Sequence, residues 1–89
     1  MAAVFKLVVS TSDGRAFDGE AEKIVLRGVE GEFAVLADHA PFMTLVKPCT
    51  CVITDADGKE TSAEISSGAF QVSDNKATLL IGKYTKIQA

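Results

Sequence analysis

His39 is the only histidine in the chain. It sits in GVEGEFAVLADHAP, Gly28 to Pro41, with Glu30, Glu32 and Asp38 close by in sequence. An imidazole near carboxylates is the raw material of general acid–base catalysis or of a metal site. The spacing argues against both. Asp38 is adjacent to His39, and neighbours on an extended chain point to opposite sides. Glu30 and Glu32 would share a face if extended, but beside Gly28 and Gly31 they read as solvated loop charges. No GxSxG supplies a nucleophile elbow, and neither HxH nor HExxH supplies ligand spacing. The sequence therefore predicts no catalytic residue and no metal site.

Other chemistry-bearing residues fare no better. Cys49 and Cys51 lie at i and i+2, so on a strand both face the same way. That spacing strains a disulfide and gives only half a zinc site; two reduced, partly buried thiols are expected. The stretch DADG, Asp55 to Gly58, looks like the start of a calcium loop. Its twelfth position is Ser66, however, where a bidentate glutamate is needed. Gly82-Lys83 is followed by Tyr84, and Ala77 stands where a P-loop would have its first glycine. No cofactor is expected, and the GVEGEF loop is better read as a surface that a partner grips.

The elements that would position this loop are short strands. Val4 to Ser10 is β-rich and precedes an Asp-Gly turn at Asp13-Gly14. EAEKIVLRG, Glu20 to Gly28, reads as a strand entered through a bend at Phe17 to Gly19. GEFAVL alternates, with Phe33 and Val35 on one face and Glu32, Ala34 and Leu36 on the other. FMTLV is a short run halted at Lys47-Pro48. Asp57-Gly58 turns one hairpin, in which Thr61, Ala63 and Ile65 share a face. Asp74-Asn75 turns another. No stretch of a dozen residues keeps the helical i, i+3, i+4, i+7 pattern. The expected fold is all-β, a small antiparallel sandwich or barrel of about eight to ten short strands. Residues 1–89 are expected to form one domain, with an ordered core over about 4–83 and a frayed tail over 84–89.

Composition bounds the partners. The chain has 89 residues, 47% of them apolar, and a formal net charge of −3. That balance argues against nucleic acid, which needs clustered Lys and Arg. No window approaches the roughly 18 apolar residues of a membrane helix, and the residues after Met1 do not form a signal peptide. A soluble chain that stays where it is made, without inserting in a membrane, is expected. A domain this small buries a modest share of its surface, so a partner covering an apolar face would help it.

GVEGEFAVLADHAPFMTLVKP resembles the signature of the epsilon subunit of F-type ATP synthase, the mitochondrial delta equivalent. That family reads G-x-E-G-E-F/L-G-V-L, two loop residues, H-A-P, two apolar residues, T, two more, then K-P-G. The agreement covers Gly28, Glu30, Gly31, Glu32, Phe33, Val35, Leu36, His39, Ala40, Pro41, Thr44, Lys47 and Pro48. FKLVVSTSDGRAFDGEAEKIVLRG and SSGAFQVSDNKATLLIG are similar to the family's opening and closing strands. Cys49, Ala34 and Ala69 stand where glycine is usual, and Gln71 where an acid is.

The resemblance implies the family's N-terminal β-sandwich and a non-catalytic role in the central stalk, coupling c-ring rotation to the gamma subunit during proton-driven ATP synthesis. Glu30, Gly31, Glu32 and His39 are then expected at the c-ring. Phe70 and Val72 are the candidates for the gamma subunit, beside the default reading that apolar strand residues such as these face the core. The implied location is peripheral, on the cytoplasmic face of the bacterial inner membrane. Most family members continue into a helical hairpin linked to inhibition of hydrolysis and, in some, to ATP binding. The given sequence stops at Ala89 without that hairpin, as a natural short form or a piece of a longer chain would, and no ATP binding is expected of these residues. Two other readings stand beside this one: a free-standing β adaptor outside the synthase, and a small enzyme using His39.

Overall fold

The computed structural model describes residues 3–87. Nine strands run in chain order: β1 Phe5–Thr11, β2 Gly14–Gly28, β3 Gly31–Leu36, β4 Phe42–Val46, β5 Cys49–Asp55, β6 Glu60–Ile65, β7 Gly68–Ser73, β8 Lys76–Ile81 and β9 Tyr84–Lys86. Their neighbour order is β1-β8-β7-β4-β2-β5-β6-β9, with β3 paired to β2 and β1 also paired to β2. Two layers result, joined by β2.

β2 is the element that makes two layers out of one ladder. It is fifteen residues long, well beyond an ordinary strand. Its first half pairs with β1, from Gly14 to Ala21. Its second half pairs with β3 on one side and β5 on the other. The register slips between Ala21 and Lys23, and such a bulge bends a strand from one layer to the next. Where the sequence placed a bend, at Phe17 to Gly19, the strand is continuous, with one irregularity just before it at Ala16 and another just after it at Glu22.

Alternation sorts the side chains. Phe5, Leu7 and Val9 of β1, Phe70 and Val72 of β7, and Ala77 and Leu79 of β8 point inward from one layer. Ile24, Leu26, Val35, Cys51, Ile53 and Ile65 meet them from the other. The rings of Phe33, Phe42 and Phe70 close the gap where β3 and β4 approach, with centroids 5.3 and 5.6 Å apart.

Turn chemistry follows the residues. Asp74 and Asn75 take φ of 53° and 61°, the left-handed pair of the two-residue turn that matches strand twist. Asp55 Oδ1 accepts the amides of Asp57 and Lys59 at 2.9 and 3.0 Å. That carboxylate is therefore committed to the β5–β6 turn, which explains the DADG stretch without an ion.

Two features depart from the sequence reading. β1 and β8 pair in parallel, in a sheet expected to be antiparallel throughout. A parallel pair needs a long connection, and the six strands between them provide it. The tail also does not fray where expected: Tyr84–Lys86 pairs with Ala63–Ile65, and the Ile87 amide donates to Ser62 O at 2.9 Å. Half-buried Tyr84 packs on the core, which anchors a segment whose sequence carries no strong strand pattern. Gln88 and Ala89 lie outside the described residues.

Candidate functional site

The GVEGEF stretch forms the β2–β3 hairpin. Gly28 pairs with Gly31 across a two-residue turn, and Gly31 has φ of 127°, a conformation closed to L side chains without strain. Val29 and Glu30 form the tip, and Glu30, Gly31 and Glu32 are all exposed. The turn is held from beside: the Val29 amide donates to Leu45 O at 3.1 Å, and the Lys47 amide to Arg27 O at 3.0 Å. Carboxylates are thus presented on a braced backbone, with no buried partner.

His39 is not part of that tip. It follows β3, whereas Glu30 precedes it, and the six residues of β3 span on the order of 20 Å. The β3–β4 loop is tied to the opposite end of the sandwich, where the Asp38 amide donates to Asn75 Oδ1 at 2.8 Å. The His39 ring lies 5.8 Å from that of Phe42. Its Nδ1 is 2.7 Å from Ala40 O; a carbonyl only accepts, so Nδ1 carries the proton. Among the described residues no hydrogen bond or ion pair joins His39 to Glu30, Glu32 or Asp38. The residues that sequence proximity grouped are separated by the hairpin that contains them.

Phe70 and Val72 require a correction. They are 0% and 1% exposed, so neither side chain can meet a partner. In β7 the inward residues alternate with Ala69 and Gln71, and these form the outer face. On that face Leu45, Ala69 and Leu80 stand side by side across β4, β7 and β8, with Met43, Gln71 and Thr78 in the next row. Met43, Leu45 and Leu80 are 70%, 63% and 54% exposed, and Val29 at the hairpin tip adds to them. Val29, Met43, Thr44, Leu45 and Ala69 line a shallow cavity of about 320 Å³. The acidic tip borders the same strand: Glu30, Gly31 and Glu32 share a second cleft with Phe42, Met43 and Thr44.

The signal for this face was present in FMTLV and TLLI. FMTLV puts apolar side chains on both faces, and TLLI adds Leu80 to an otherwise polar outer face, whereas a strand with one wet face alternates. A run such as Thr78-Leu79-Leu80-Ile81 reports cover on both sides. Contiguous exposed apolar surface of this kind marks an interaction site.

Acid–base or metal chemistry finds no comparable geometry. Among the described residues no group of three or more His, Cys, Asp or Glu side chains converges. Cys49 and Cys51 are both free. The Arg27 amide lies 3.4 Å from Cys49 Sγ, and burial pushes the Cys51 thiol up to about 12, with the nearby Cys49 adding to it.

Residues 4–86 match the family described as ATP synthase, Delta/Epsilon chain, beta-sandwich domain. The chain belongs to this family. The ATP synthase epsilon chain of a Nitratiruptor species is 41% identical over 76 residues, which are 85% of this chain and 59% of that protein. The sodium ion specific epsilon chain of Acetobacterium woodii is 35% identical over 80 residues, 90% of this chain and 60% of that one. The chain thus spans about three-fifths of the length of these curated relatives. A chain in the Euglena gracilis mitochondrial ATP synthase, OSCP/F1/c-ring, superposes with a TM-score of 0.89 at 23% identity, over 97% of this chain and 55% of that one. That likeness carries the fold.

Proposed function

We propose that this β-sandwich is a non-catalytic subunit of the ATP synthase central stalk, seated between the gamma subunit and the c-ring. The observation that carries this reading is the uncharged strip of Val29, Met43, Leu45, Ala69 and Leu80 on the outer face of β4, β7 and β8. It gathers four of the seven exposed large apolar side chains among the described residues, Val29, Met43, Leu45 and Leu80, and it fits a permanent protein partner. The gamma subunit docks there, and Phe70 and Val72 shape the face from beneath.

The acidic tip, Glu30, Gly31 and Glu32, meets the polar loops of the c-ring. Charged contacts of this type set register and partner choice more than affinity. His39 belongs instead with the gamma side, because its loop leads into β4 and its ring lies on Phe42. Torque transmission needs a stiff body, and the ladder that β2 shares between both layers supplies one. The location that follows is peripheral, on the cytoplasmic face of a bacterial membrane, with ion flow through the ring as the driving force.

The test separates the two surfaces. Leu45→Glu/Leu80→Glu should abolish co-purification with the cognate gamma subunit. Glu30→Lys/Glu32→Lys should keep gamma but lose ion-driven ATP synthesis in membranes. Retention of gamma by the first variant would remove the assignment.

A further inference from the structure

One junction, at the end of the sandwich opposite the acidic tip, gathers every non-glycine residue with positive φ among the described residues: Asp38 at 63°, Asp74 at 53° and Asn75 at 61°. Asp74 and Asn75 turn β7 into β8, where the two-residue hairpin requires that conformation. Asp38 has no such reason. β3 and β4 do not pair with each other, so no ladder imposes a left-handed residue between them. A side chain in that conformation costs energy and persists only where its surroundings hold it.

The Asn75 side chain supplies the hold. Its Oδ1 accepts the Asp38 amide at 2.8 Å, and its Nδ2 donates to Val4 O at 3.0 Å. Its own carbonyl accepts the Lys6 amide at 3.1 Å. One residue thus fastens the β3–β4 loop to the start of β1 and to the β7–β8 turn. The turn itself does not need that side-chain amide, because Asp-Gly serves a two-residue hairpin as well. Directly after Asp38 comes His39, half-buried. Its Nδ1–H is bonded to Ala40 O, so in the neutral ring Nε2 is left as an acceptor. The ring lies 5.8 Å from that of Phe42, the first residue of β4, the strand whose Met43 and Leu45 belong to the apolar strip.

We propose that Asn75 is the positioning residue of the gamma-facing loop. It holds Asp38 in the left-handed conformation and so aims the His39 ring, whose Nε2 accepts an N–H or O–H of the gamma subunit. Asn75 acts through Asp38 and His39, not by a contact of its own. The assignment rests on the stalk reading and adds to it a polar contact outside the apolar strip.

Two variants divide the side chain's bonds. Asn75→Gly keeps the turn and removes both, whereas Asn75→Asp keeps the acceptor for Asp38 and loses the donor to Val4. In the ¹⁵N-labelled 89-residue chain, hydrogen exchange of the Asp38 amide is measured against the β5 amides, which report global opening. It should be about tenfold faster in Asn75→Gly, with Asn75→Asp close to wild type. Binding to the cognate gamma subunit should weaken about tenfold in Asn75→Gly and stay within about twofold of wild type in Asn75→Asp. His39→Ala should weaken it by a similar factor, and the double variant Asn75→Gly/His39→Ala no further, because both changes remove one contact. A purely stabilising residue would leave the affinity of the folded chain unchanged. Equal Asp38 exchange in wild type and Asn75→Gly would overturn the positioning. Losses that multiply in the double variant would overturn the route through His39. Unchanged affinity in Asn75→Gly, with wild type binding, would overturn the Asn75 assignment alone, whereas no binding by wild type would overturn the stalk reading and the partner named here with it.

Discussion

Gly68 shows how much a single residue can decide. A Cβ at this position would lie 1.9 Å from Leu80 O and 2.7 Å from Ile81 Cγ2, so β8 runs past the start of β7, where Gly68 pairs with Ile81, at a distance that only glycine permits. Gly68→Ala should cost about 3 kcal/mol, the upper range for overpacking, read as a fall in the urea midpoint. Gly31→Ala meets no atom within 4 Å and pays only for its φ, about 1–2 kcal/mol. Asp18 makes a different prediction. Hydrogen bonds and charge from Lys6 and then Arg15 hold its carboxyl below the usual range, through contacts of 2.6 and 2.5 Å. The folded state then binds fewer protons than the unfolded one in acid, so the contribution is present above the unfolded value of 3.8 and fades as pH falls through the lowered folded value. Wild type and Asp18→Asn should differ in urea midpoint at about pH 5 and converge toward about pH 2. At the cysteines, iodoacetamide at neutral pH should label Cys49 once and leave Cys51, whose thiol is fully buried. A singly alkylated mass that disappears in Cys49→Ser would check this.

Among the elements, β4 matters most, because Met43 and Leu45 are apolar on its outer face and Leu80 of β8 extends that surface. Substituting Leu45 or Leu80 by Glu touches no core residue, so stability should change by less than about 1 kcal/mol. The affinity for a partner covering this face should fall by about 100-fold, as for a central hot-spot position. Calorimetry on the free chain and a binding titration distinguish the two effects. Strands and turns were largely legible in the sequence, because alternation in GEFAVL and ETSAEI and the Asp-Gly and Asp-Asn pairs act locally. The parallel β1–β8 pairing and the ordering of Tyr84–Lys86 were not, because both depend on partners distant in sequence. The site was legible only in part. Sequence proximity put His39 with Glu30 and Glu32, but a strand carries its two ends apart. Phe70 and Val72 were candidates for a partner face with the core as their default, and the period of two does send them inward and leaves Ala69 and Gln71 outside.

The whole molecule is a bent double layer with distinct surfaces: an apolar strip and an acidic tip adjoining it. β2 passes through both layers, so a load applied at the β2–β3 tip reaches the β4–β7–β8 face through backbone hydrogen bonds rather than through loops. This arrangement suits a rigid coupling element, and the proposed partner contacts fall on side chains that the core does not need. The proposed stalk role depends most on the apolar strip being an interface. The most direct measurement is the dissociation constant of the 89-residue chain for the cognate gamma subunit, for wild type and for Leu45→Glu/Leu80→Glu. A one-to-one complex with wild type is expected, with binding by the variant weaker by about 100-fold or more and both proteins equally folded. Equal binding by the two, or none by the wild type, would contradict the role.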